Sequence, residues 1–330
     1  MSQRKITDRD REKIHRRLDS DFEYFAKHVL KIKTFEGETV PFILNPAQKF
    51  LNKRLDEQLS TLGYVRALIV KGRQQGCSTD IGGRYYWKAT RLGNKNVFIL
   101  SHESETTKKL FKMVERFYEL SPEPTRPETK IANRRELEFK AISSEYAVGT
   151  AGNENVGRGG TIQLFHGSEV AFWEKTQGIK TGILRSIHNV PGTEVILEST
   201  ANGMSNDFYT MCMDALDGRG DYQVIFIPWY WEETYQRASP ADGMLELTDE
   251  EREYRDLYSL TDAQIYWRRA TIVEFGEDGE WMFKQEYPAF LQEAFQTSGT
   301  PLISPQSIVR ARKETLTDEN APLVLGVDPA

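Results

Sequence analysis

Nine consecutive residues, Lys71-Gly72-Arg73-Gln74-Gln75-Gly76-Cys77-Ser78-Thr79, have the composition of a loop that holds phosphate. They follow an apolar run at 64–70 and lead into a helical pattern at 79–92. Strand, glycine-containing turn and helix, in that order, bring the turn's N–H groups and the helix N-terminus onto phosphate oxygens. Against the spacing G-x-x-x-x-G-K-[ST], Gly76 and Ser78 fit, Cys77 stands in the lysine slot and Lys71 in the first glycine slot. Ser78 is therefore expected to face Mg²⁺. Lys71, at the mouth of the loop, is the cation that can fold back over the β- and γ-phosphates. Ordinary strand-to-helix turns share this spacing, and on spacing alone the two readings stand level.

Further along, the strand pattern at 161–166 runs into Gly167-Ser168-Glu169. An acidic side chain at the carboxyl end of a strand beside a phosphate loop is placed to orient or deprotonate an attacking water, and Glu169 carries that expectation. Ser168 stands where a metal-side Asp is usual. A third strand, at 194–197, ends in Glu198-Ser199-Thr200-Ala201-Asn202-Gly203. Ser199, Thr200 and Asn202 offer hydroxyl and amide groups that sense a γ-phosphate, or else form an Asx or Ser/Thr turn before the next helix. Arg158, in Gly157-Arg158-Gly159-Gly160, is a guanidinium on a glycine loop, the form of an arginine finger. Gln48, in Asn45-Pro46-Ala47-Gln48, has a carboxamide suited to adenine N6 and N7, or to a buried helix start.

These residues need rigid elements to hold them. Short buried-strand patterns at 64–70, 96–100, 161–165, 194–197 and 222–227 alternate with helical patterns at 79–92, 104–120, 176–187 and 206–216. That alternation predicts an α/β core, spanning 41–229, around a mostly parallel sheet. Segments 136–142 and 146–149 read as an inserted antiparallel pair. Residues 1–40 form an N-terminal helical segment. After Pro228 the composition turns acidic, with ten acidic and three basic side chains over 232–262. Helices with Thr N-caps are expected at 248–258 and 261–275, so 230–318 reads as a helical lid or linker. A buried-strand pattern returns at 323–328, and 319–330 reads as the first strand of a further domain.

Composition narrows the function class. The chain has 330 residues with 39% hydrophobic and 28% charged side chains, and a net charge of −6 at pH 7. This is a globular composition, and the net charge argues against a protein that coats nucleic acid nonspecifically. Seven basic against four acidic side chains within 1–20 read as a solvated helical face or as a nucleic-acid arm. The longest apolar runs, such as 224–229, are far short of a membrane helix, and two cysteines make neither a disulfide framework nor a zinc cluster.

Taken in order, Gln48, the 73–79 loop, Gly157-Arg158-Gly159, Ser168-Glu169-Val170-Ala171-Phe172-Trp173, Ser199-Thr200-Ala201-Asn202-Gly203, Glu286-Tyr287-Pro288 and Glu293-Ala294-Phe295 closely resemble the large terminase subunit of tailed bacteriophages. The resemblance covers about 40–330. It implies an ASCE-type P-loop NTPase that uses ATP and Mg²⁺ to drive double-stranded viral DNA into a procapsid. A second, RNase H-like nuclease domain in the full-length protein would cut concatemeric DNA. It makes Lys71 the carry-over of a lysine placed at the start of a deviant loop. It implies nucleotide contacts from Gln48, Arg73, Gln74, Gln75, Gly76, Cys77, Ser78, Thr79, Ser199, Thr200 and Asn202, with Ser78 and Ser168 on the ATP-bound metal. It also implies a nuclease metal at Asp328, whose partner carboxylates lie beyond Ala330. The implied partners are the portal protein, the small terminase subunit and the procapsid, in the host cytoplasm. The assembly is a homo-oligomeric ring when packaging, with a monomer in isolation also open. Arg158 is expected to act in trans. The departures from the family pattern, Cys77 and Ser168, leave a second reading open, a nucleotide-binding docking subunit without efficient hydrolysis. A superfamily 2 helicase shares the Gln and loop logic but lacks its Asp-Glu-x-His/Asp segment here.

Overall fold

The computed structural model describes residues 7–151, 161–174, 182–238 and 246–295. Helix α1 (Asp8–Ser20) starts from a capping box between Thr7 and Asp10, and α2 (Phe22–Val29) starts from Asp21, whose side chain accepts from Tyr24 N. A short hairpin of β1 (Lys31–Lys33) and β2 (Thr39–Pro41) leads to α3 (Pro46–Leu62), capped by Asn45. Then β3 (Val65–Lys71) passes through the 72–76 turn into α4 (Cys77–Arg91). After it come β4 (Asn96–Ser101), α5 (Ser104–Leu120), β5 (Thr129–Ala132), β6 (Glu136–Phe139) and β7 (Ser144–Thr150). The core is completed by β8 (Leu164–Ser168), β9 (Glu194–Ser199), α6 (Asp207–Leu216) and β10 (Gln223–Ile227).

The eight strands β3 to β10 form one sheet in the order β10-β3-β9-β8-β4-β7-β6-β5. The first six run parallel, and β6 and β5 add an antiparallel edge. The expected α/β class with a mostly parallel sheet is present. Side chains alternate between the two faces. Ala67, Ile69, Ile196 and Leu164 face α3, α4 and α5 through Leu51, Ile81, Tyr85, Val114 and Phe117, while Leu68, Val70, Val195, Leu197 and Phe165 pack with Phe208 and Cys212 of α6.

Two sequence expectations need correction. The strand expected at 161–165 lies three residues later, so Gly167 and Ser168 belong to β8 rather than to the turn after it. Gly167 reads as a breaker but is a packing residue: a Cβ there would stand 2.7 Å from Leu197 Cδ2 and 2.9 Å from Trp173 Cη2. The pair expected at 136–142 and 146–149 is antiparallel, but its second strand also pairs in parallel with β4 and so extends the main sheet. The helix expected at 176–187 falls largely outside the described residues, which contain one 3₁₀ turn there, Leu184–Ser186. The strand at 323–328 is likewise outside them.

Beyond β10, α7 (Asp249–Tyr258) and α8 (Asp262–Glu274) each begin with a Thr capping box, and α9 (Gly279–Glu286) and α10 (Leu291–Ala294) follow. They close around an aromatic cluster in which Trp267 stacks on Trp229 at 5.2 Å and on Tyr235 at 4.4 Å. Glu293 is buried in α10, its Oε2 accepting from Ala289 N at 2.6 Å. Burial pushes its carboxyl up to about 7, against weaker opposition from that Ala289 bond, Lys284 and Arg268. The raised folded value means that this group's contribution is fully present below its ordinary pKa near 4.5 and is lost as pH rises through 7. Denaturant unfolding at pH 5 and pH 8 is expected to show a fall of roughly 3 kcal/mol from this group. Glu293→Gln, which keeps the acceptor, should flatten that difference; an unchanged slope would mean the carboxyl titrates normally.

Candidate nucleotide site

The carboxyl ends of β3, β9 and β8 lie side by side and deliver Lys71, Glu198 and Ser168 to one face of the sheet. Register pairs Ile69 with Glu198 and Glu198 with Ser168, and Lys71 shares the face of Ile69 by the two-residue period. The N-terminus of α4 opens toward the same end. Its N-cap, Gly76, has φ +73° and no side-chain cap, so the first N–H groups of a 15-residue helix lack a side-chain acceptor there. Only glycine suits this position, since a Cβ would fall 2.6 Å from Gln48 Nε2.

Lys71 is almost fully buried, with Nζ 3.1 Å from Glu198 Oε2 and 3.4 Å from Glu169 Oε1. Burial works against its charge, but the two carboxylates outweigh it and hold the ammonium protonated. Glu198 is fully buried; burial pushes its carboxyl up, yet Lys71 and the bonds from His166 and Ser78 bring it well below the usual range. Ser78 Oγ donates to Glu198 Oε1 at 2.6 Å, and His166 Nε2 lies 3.4 Å from the same oxygen. Glu169 follows β8 in the left-handed region at φ +54°, with its side chain one-quarter exposed. The turn after it is fastened to the end of β9: Ala171 N donates to Ser199 Oγ at 3.2 Å and Asn202 Nδ2 donates to Ala171 O at 3.3 Å. Thr200, next along the chain from Ser199, is buried.

Of the other expected nucleotide residues, Gln48, Gln75 and Arg73 bond within or across the loop. Gln75 is buried, accepting from Gly72 N at 2.8 Å and donating to Pro228 O at 2.5 Å. Both ends of the Gln48 carboxamide are engaged, accepting from Asn45 N at 2.9 Å and donating to Gly76 O at 2.9 Å, so it braces the turn rather than presenting a free adenine reader. Cys77 points into the apolar core and burial pushes its thiol up, which keeps it a neutral S–H. Thr79 is half-buried on the first turn of α4. Gln74 is exposed with φ +53°. Arg73 faces outward: its guanidinium lies 3.5 Å from Glu286 Oε2, its N–H donates to Glu286 O, and its carbonyl accepts from Tyr235 OH at 2.6 Å. The helices after β10 are thus tied to the loop. Ser168 is buried, its carbonyl accepting from Trp173 Nε1 at 3.0 Å. Arg158 and Asp328 lie outside the described residues.

Glu198 is the site residue that the sequence reading passed over. A carboxylate inside a fully buried strand must have a charged partner, and that requirement was the available signal. Glu194, on the same strand, obeys it: Arg84 Nε and Lys88 Nζ both bond it, and against burial they hold its carboxyl at about 2.

No family model matches the chain, and no curated protein matches it by sequence. Solved structures do. The large terminase of bacteriophage HK97 aligns at a TM-score of 0.57 with 14% identity, covering 84% of this chain and 55% of that one. The large terminase ATPase domain of Thermus phage P74-26 aligns at 0.48 with 18% identity, over 74% of this chain and 98% of that one. The large terminase of a thermophilic bacteriophage, in complex with ADP, aligns at 0.43 with 11% identity, over 65% of this chain and 50% of that one. The chain spans about half the length of the HK97 protein. Its fold is similar to the matched part of the HK97 large terminase, and the candidate site lies at the carboxyl ends of three neighbouring strands of its parallel sheet.

Proposed function

We propose that this chain is the ATP-hydrolysing motor region of a phage large terminase, which moves double-stranded viral DNA into a procapsid. The observation that carries it is Lys71. The loop lacks a lysine at 77, yet an ammonium from the preceding strand stands between two carboxylates in front of an uncapped helix N-terminus. In that arrangement the Lys71 ammonium and the first N–H groups of α4 are the donors available to a triphosphate. A docking subunit without efficient hydrolysis would not need a partly exposed carboxylate such as Glu169 beside that cation.

The residues present fit a nucleotide carrying a divalent cation. Ser78 Oγ and Glu198 Oε1 face one another at 2.6 Å, and Glu198 Oε2 is buried 3.1 Å from Lys71 Nζ. Mg²⁺ is commonly held by one or two protein oxygens together with phosphates. When bound, Mg²⁺ neutralises charge developing on the β- and γ-phosphate oxygens. The protein's own parts are distinct: α4 N–H groups and Lys71 bind phosphate, Glu169 orients water, and Ser199 and Asn202 tie the Glu169 turn to β9. Arg158 completes a neighbour's site in a ring. Asp328 is assigned to a nuclease metal. Portal protein and small terminase subunit are the proposed partners in the host cytoplasm; no helix among the described residues is long and apolar enough to cross a membrane.

Phosphate release from ATP, measured with and without double-stranded DNA, tests this. Hydrolysis that DNA stimulates is expected. Nucleotide binding with no phosphate release under either condition would leave the docking subunit instead.

A further inference from the structure

We propose that Glu198, on the strand next to β8, supplies the carboxylate for the nucleotide's divalent cation that Ser168 lacks, acting together with Ser78. This rests on the nucleotide reading above and assigns a residue within it.

In NTPases of this kind the cation is held by the loop Ser or Thr and by an Asp at the end of a neighbouring strand. Position 168 would be that Asp, and a neutral serine is a poor substitute for a hard cation that prefers charged oxygen. The register places the replacement directly alongside. Ser168 and Glu198 are Cα partners on parallel strands, about 4.8 Å apart and on one face. Glutamate has one methylene more than aspartate, which helps a carboxylate reach back toward the loop from the adjacent strand.

The reach is visible in the bonds. Glu198 Oε1 accepts from Ser78 Oγ, the hydroxyl expected at the cation, at 2.6 Å. Oε2 is fully buried, with Lys71 Nζ 3.1 Å away. A carboxylate that served only as a counterion for Lys71 would have no reason to engage Ser78 as well, and Glu169 already stands 3.4 Å from Lys71. Lys71 beside Glu198 compensates the charge of a Glu buried in the sheet centre.

The test measures binding, not turnover. A fluorescent, non-hydrolysable ATP analogue is titrated into the full chain in EDTA and in Mn²⁺, for the unaltered protein, Glu198→Gln, and Glu198→Gln combined with Ser168→Asp. The unaltered protein should bind more tightly in Mn²⁺ than in EDTA. In Glu198→Gln the ratio of Mn²⁺ to EDTA affinity should fall about 10- to 100-fold, and Ser168→Asp should restore part of it by moving the carboxylate one strand across. Full Mn²⁺ enhancement in Glu198→Gln would overturn the assignment, as would equal loss in EDTA and Mn²⁺, or a double variant no better than the single one. If the unaltered protein binds the analogue under neither condition, the nucleotide reading itself falls.

Discussion

Lys71→Ala should lower ATP turnover by at least roughly 10²-fold, the range seen when one preorganised electrostatic donor is removed from a reacting site, whereas Cys77→Ala should be mild. The contrast is sharp because the two residues trade their usual places. Cys77 occupies the slot where a lysine is expected, but its side chain belongs to the apolar cluster beneath α4. Truncating it removes one sulfur from packing and no charge. Lys71 is the opposite case: a buried ammonium between Glu198 and Glu169 at the mouth of the same turn. Removing it leaves two carboxylates facing each other and then facing the triphosphate, so both binding and hydrolysis suffer. Lys71→Arg is a useful third variant, since its charge is kept while the planar fork cannot occupy the space of an ammonium. Steady-state phosphate release of the three variants decides the matter. Equal behaviour of Lys71→Ala and Cys77→Ala would sink the assignment of Lys71.

The loop, the strand before it and the helix after it were legible because local chemistry fixes them: an all-buried run, a glycine that needs positive φ, and a helix start. The parallel sheet was legible from its runs of buried strand residues. What escaped depends on neighbours distant in sequence. Gly167 looks like a break until Leu197 and Trp173 are seen against it. Gln48 and Gln75 have side chains that suit a ligand, yet they are engaged by Asn45, Gly76, Gly72 and Pro228, partners up to 153 residues away. Glu198 lies inside an apolar strand pattern and was read past in favour of the small polar residues that follow. Its meaning depends on which strand lies alongside, and only the β3-β9-β8 order puts Lys71 and Ser168 on either side of it.

That strand order leaves two carboxylates within reach of one lysine, and the division of labour between them is the second large expected effect. Glu169→Gln should retain nucleotide binding while turnover falls by at least roughly 10²-fold, the low end for loss of a general base. Glu198 is the rival for this role, and its surroundings argue against it. It is fully buried, and its Oε1 is taken by Ser78 Oγ. Glu169 has its side chain one-quarter exposed, on a backbone held in the left-handed region, with the turn behind it pinned to Ser199 and Asn202. A water can approach this carboxylate, and the pinned turn gives the end of β9 a direct mechanical route to its position. Glutamine preserves size and hydrogen bonding but cannot take a proton, so a loss in Glu169→Gln with intact analogue binding isolates the chemical step from folding and affinity. Unchanged steady-state turnover in Glu169→Gln would move the base elsewhere. If Glu198→Gln were then inactive while its Mn²⁺-dependent binding stayed intact, Glu198 would take that role, and Glu169 would be left as a counterion for Lys71.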